Sequence, residues 1–291
     1  MNSGSGSGAA APALGEAVRR TPKWVLGLLL VLGAAWAGWS LGCTLTPGVY
    51  LGNLEASQFI VQPRLESTIP ILWVPRWPWS PVPEFGGVSL TLDDGTVLPM
   101  TAEAPTFHGI GPYRTGYLCI YPQALDGLPT GAGPAQYRVA SISVESSYGL
   151  LASNPRSLYA VSLGAPVNQD PDLFHRMTST FLIDQEAFCL DFSVQSGSEV
   201  EVVEIVLPPE AYPLAIATAG SADRPVTLPL ILEPGDTRMV TSITGKAQHG
   251  SISLMPLLRI RRNGEEGYYY PFSACFHFVD SRLTTQYDVG R

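Results

Sequence analysis

The run from Trp24 to Leu45 carries no charge, and no other feature constrains the fold of this chain as strongly. As an α-helix its 22 residues would rise about 33 Å, against about 30 Å for the hydrocarbon core of a bilayer. Arg19, Arg20 and Lys23 stand just before it, and positive charge at that end holds it in the cytoplasm. The expectation is a single-pass transmembrane helix over residues 24–45 in the cytoplasmic membrane, after a flexible cytoplasmic tail, residues 1–23. Residues 2–13 are almost entirely Gly, Ser, Ala and Pro, too poor in apolar surface to order themselves. The remainder is expected outside that membrane, periplasmic or extracellular.

Two other readings use the same residues. Ala35-Trp36-Ala37 fits the small-x-small cleavage site of a secretory signal peptide. Ser40-Leu41-Gly42-Cys43 resembles a bacterial lipobox, which would make Cys43 a lipidation site, but Ser40 stands where leucine is usual. All three readings export the body of the chain.

The body reads as all-β. Charged residues are 14% of the chain and apolar ones 45%, with 26 prolines and 29 glycines spread along it, a pattern of short strands and many turns. The net charge of −8 argues against nucleic acid, which needs clustered Lys and Arg. The nearest basic group, Arg259, Arg261 and Arg262, faces Glu265 and Glu266 across a turn and reads as a solvated ion-pairing surface.

Residues 46–87 form a Pro- and Trp-rich, membrane-proximal segment, within which Ile69 to Pro83 is expected to be extended or turned but not a central strand. A first β unit is expected over 88–165, opened by a hairpin at Asp94-Gly95. The polar, turn-rich run 164–172 marks a boundary, and residues 172–180 suggest a helical turn. The second β domain, 173–291, has the clearest alternation: Phe188, Leu190, Phe192 and Val194 share one face of a strand. Two long strands, 252–262 and 268–279, are expected to meet across Asn263-Gly264, the second carrying a stripe from Tyr268 to Phe278.

In this half, Leu232-Glu-Pro-Gly-Asp-Thr237 followed by a strand resembles the bacterial immunoglobulin-like adhesion modules, in which a Leu-x-Pro-Gly turn precedes a late strand. The resemblance covers about 100 residues of the second half and rests on one turn motif. It implies an immunoglobulin-like β-sandwich and says nothing of function.

Of the 4 cysteines, Cys43 lies in the apolar run, and Cys189 with Cys275 is the leading candidate disulfide. No Cys-x-x-Cys, histidine pair, nucleophile motif or phosphate-binding loop is present, so no catalytic, metal or cofactor residue is assigned. Asp93-Asp94 is explained by the turn before Gly95. The unusual surface candidate is Trp73, Arg76, Trp77 and Trp79, an aromatic group in proline-rich chain suited to a protein partner or a membrane. The expected function is a non-catalytic membrane-anchored envelope protein that assembles with other envelope or membrane proteins. The alternatives are an envelope hydrolase acting on glycan or peptide, and a glycan- or small-ligand-binding module.

Overall fold

The structure, a computed structural model, describes residues 22–42, 45–62, 65–109, 113–123, 133–163, 167–168, 173–184, 187–211, 214–219, 224–235, 237–245, 250–271 and 274–277. It is built mostly of β-strands, with one α-helix among the described residues, α1 (Lys23–Gly42).

The expected transmembrane helix is corrected. Among the described residues no helix is long and apolar enough to cross a membrane. The far end of the expected span, Leu45, belongs to the β body: it is buried against Leu72 and Val74. The fold class is therefore a β-rich body preceded by an apolar helix.

The first part of the body contains β1 (Gly48–Leu51), β2 (Ser57–Ile60), β3 (Ser67–Val74), β4 (Phe85–Leu92), β5 (Val97–Glu103), β6 (Arg114–Pro122), β7 (Ala135–Ser146), β8 (Gly149–Ser153) and β9 (Leu158–Ser162). Their order is β1-β3-β6-β5-β4-β7-β9-β2, with β8 also on β7. Although β1 and β2 end this series, only residues 52–56 separate them, a link that reaches about 20 Å at most. The sheet therefore curls around one core, to which Leu51, Phe59, Ile71, Leu90, Met100, Leu118, Ile142 and Ala160 contribute. The Asp94-Gly95 hairpin forms as the sequence suggests. Gly95 takes φ +86°, and Thr96 N–H donates to Asp94 Oδ1 at 2.8 Å, which holds that carboxyl below the usual carboxylate range.

Contrary to expectation, β3 is a central strand, between β1 and β6, despite Pro70. In a strand a residue's N and O point to the same side. The Pro70 carbonyl accepts from Gly52 N–H at 2.6 Å, just past the last β1 pair, Leu51 with Ile71. The missing proline donor thus faces the end of β1 and leaves the β6 ladder whole.

The second part contains β10 (Val167–Asn168), β11 (Phe174–Asp184), β12 (Ala187–Ser196), β13 (Val200–Val206), β14 (Leu214–Ala219), β15 (Arg224–Pro225), β16 (Leu230–Leu232), β17 (Arg238–Gly245), β18 (Ser251–Leu254), β19 (Leu257–Arg262), β20 (Glu265–Tyr269) and β21 (Ala274–His277). Residues 174–184 are strand rather than helical turn, because β11 pairs with β12 along nearly its whole length. Two five-stranded sheets, β10-β20-β19-β13-β16 and β11-β12-β17-β14-β15, enclose a second core of Phe188, Leu190, Phe192, Val202, Ile243, Ile260 and others.

The expected pair of long strands is also corrected: each is broken by a proline, Pro256 and Pro271, which lack ladder donors. The outer halves, β19 and β20, turn at Asn263-Gly264 with φ of +52° and +82° and pair into a sheet of the second part. The inner halves, β18 and β21, pair with each other, and β18 runs parallel to β2 of the first part. Met255 sits at this bend, fully buried among Ile60, Leu65, Val161, Val206, Leu257 and Tyr268. Gln58 Nε2 donates to the carbonyls of Met255 (2.8 Å) and Val206 (3.2 Å), while Gln136 Nε2 donates to Gln58 Oε1 (3.0 Å) and the Leu207 carbonyl (2.9 Å).

Candidate contact surface at the Trp-Pro loop

β3 delivers the chain to Pro75 and the loop beyond it. Within that loop Trp77-Pro78-Trp79-Ser80 closes a turn: Ser80 N–H donates to the Trp77 carbonyl and Trp77 N–H to Ser80 Oγ, each at 3.0 Å. Pro78 presets φ at the second position, so the turn is stiff. Its geometry stacks the first and third side chains: the Trp77 and Trp79 rings lie 5.8 Å apart and 3° from parallel. Trp36 of α1 extends the row, with its centroid 6.4 Å from Trp77. The Arg76 guanidinium lies 5.9 Å from the Trp77 centroid, within cation–π range. Trp79 is 70% exposed and Trp36 50%, and Val82, three residues after Trp79 in the chain, is exposed as well.

Of the four residues singled out in the sequence, the structure brings together Arg76, Trp77 and Trp79 and removes Trp73. Trp73 is 1% exposed and lies on β3, which is buried along most of its length. Its Nε1 donates to Tyr148 Oη at 3.2 Å, and its ring packs on Phe107 and under the Arg114 guanidinium, 5.1 Å from the centroid. Its place in the site is taken by Trp36, which the sequence shows only as the middle residue of a small-x-small motif in the apolar run. No local spacing links position 36 to 77; an excess of tryptophan in two stretches whose single charge is Arg76 is the one signal the sequence offers.

The other candidates are structural where they are described. Arg261 pairs with Glu201 (2.5 Å) and Glu266 (2.6 Å), and Arg259 with Glu204 (3.5 Å) and Glu266 (3.9 Å), the ion-pairing surface read from the sequence. The candidate Cys189–Cys275 disulfide is corrected. Cys189 is a free thiol on β12, its Sγ 3.4 Å from Asp191 Oδ1, whereas Cys275 lies on β21 in another sheet. Burial, then the bond to the Asp191 carboxylate, pushes the Cys189 thiol above its ordinary value. Cys43 and the side chains of Cys275, His175, His249 and His277 lie outside the described residues. Among the described residues, no three His, Cys, Asp or Glu side chains converge as metal ligands would.

No known protein family and no curated protein matches the chain. Among solved structures it is similar to a protein of unknown function from Porphyromonas gingivalis W83, at 13% identity and a TM-score of 0.21 over 76% of this chain and 97% of that one.

Proposed function

We propose that this chain is a non-catalytic interaction protein, a β body that takes its place in a larger envelope assembly through the row formed by Trp36, Trp77 and Trp79. The supporting observation is a row of three neighbouring indole rings, Trp36 on α1 with Trp77 and Trp79 on a loop stiffened by prolines, of which Trp36 and Trp79 are exposed and Trp77 is half-buried. Tryptophan offers large apolar area at small entropic cost, and a rigid backbone loses little freedom on binding. Such a surface left in water costs free energy that a partner recovers.

Oxidative footprinting of the full chain, in its native setting and after purification in mild detergent, tests this reading. The expected result is slower oxidation of Trp79 in the native setting, with Tyr148 equally reactive in both. Equal oxidation of Trp79 in the two settings would remove the contact surface.

A further inference from the structure

We infer that the partner of the Trp36–Trp77–Trp79 row is a lipid surface, a step that rests on reading the row as a contact surface. Three observations point to lipid and not to a protein groove. Leu28, Leu29, Leu30, Val31 and Leu32 of α1 are all exposed. At about 100° per residue, five successive helical residues face every direction around the axis. A protein groove is shaped to one chosen side of a helix, whereas a fluid lipid surface adapts to whichever apolar side meets it. The rings, next, stand where this helix meets the body, and tryptophan is enriched where lipid gives way to water, its ring apolar and its N–H polar.

Charge supplies the third observation. The two segments that meet at Trp36 and Trp77, residues 24–54 and 67–83, contain none of the chain's 25 acidic residues, and their single charged side chain is Arg76. Lys23 opens the helix. A chain of net charge −8 is repelled by anionic headgroups unless its carboxylates are kept away; these two segments hold none, Glu55 and Glu84 standing just beyond their ends, and Lys23 and Arg76 are the cations that accompany them.

The test reconstitutes the full chain by detergent removal with vesicles of phosphatidylcholine, with and without phosphatidylglycerol, and follows flotation and tryptophan emission. With phosphatidylcholine brominated near the headgroup end of its acyl chains, emission is expected to be quenched. A Trp77→Phe/Trp79→Phe variant should lose part of that quenched signal while still floating. Arg76→Gln should weaken partition into the anionic vesicles about fivefold, the effect of one basic residue near such a surface, and leave phosphatidylcholine binding unchanged. A chain that keeps its β circular dichroism but stays at the bottom of the gradient would overturn the inference. So would flotation in which the double variant and the parent are quenched alike. Native protection of Trp79 together with either negative result would leave the contact surface standing with a protein partner. Loss of both would remove the two readings together.

Discussion

Single residues decide whether the ends of the curled sheet fit. A Cβ on Gly52 would lie 2.8 Å from Pro70 Cβ and 3.0 Å from the Pro70 carbonyl oxygen, the acceptor of Gly52 N–H. Neither the rigid ring nor the backbone can yield cheaply, so Gly52→Ala is expected to destabilise the chain by about 1–3 kcal/mol in urea unfolding. Gly95→Ala is the contrast: nothing lies within 4 Å of its Cβ, and the cost is the positive φ, about 1 kcal/mol. Near-equal costs for the two would show that the close approach to Pro70 is relaxed in solution. Glu266 gives a prediction with a definite sign in pH. Its hydrogen bond with Arg261, followed by the nearby charges of Arg259 and Arg261, holds its carboxyl below the usual carboxylate range. A carboxylate lowered in the folded state contributes stability above its unfolded pKa and loses it as pH falls through the folded one. The urea midpoints of the parent and Glu266→Gln should therefore differ at pH 7 and converge as the pH falls below the usual glutamate range and through the lowered folded-state value. A gap that persists in acid would mean that packing, not charge, accounts for the effect.

At the scale of elements, what could be read in the sequence followed the range of the signal. Asp94-Gly95 and Asn263-Gly264 demand a positive φ locally, and both hairpins lie where the residues place them. The alternation of Phe188, Leu190, Phe192 and Val194 marks β12 because one face of that strand is fully buried. β3 escaped because both its faces are buried, which erases period two, and because the harm done by Pro70 depends on which neighbour its nitrogen faces. The split at Pro256 and Pro271 was signalled by the prolines, but a bend and a stop look alike until the partners of each half are known. The contact surface was half legible. The pairing of Trp77 with Trp79 is local to one turn, whereas Trp36 reaches it across 41 residues of chain and Trp73 leaves it through the tertiary burial of its strand.

At the scale of the whole molecule, the two β parts share a sheet. β18, from the second part, continues the curled sheet of the first by pairing with β2 and β21. Without it, the fragment 46–165 would present the whole β2 edge unpaired, lose both Met255 contacts of Gln58, and uncover Ile60, Leu65 and Val161. Removing Met255 alone from this fully buried cluster has the scale of a large-to-small core substitution, about 2–5 kcal/mol, and the fragment loses Val206, Leu257 and Tyr268 as well. That is a large share of the 5–15 kcal/mol or so that holds a domain together. The fragment 46–165 is therefore expected to bind a hydrophobic dye and to melt without a cooperative transition, while residues 46–291 unfold in a single step seen alike by tryptophan fluorescence and far-ultraviolet circular dichroism. Met255→Ala should lower the midpoints of both signals together, since its side chain touches both parts. A fragment that melts sharply on its own, or a Met255→Ala chain whose two signals separate, would show two domains that merely touch.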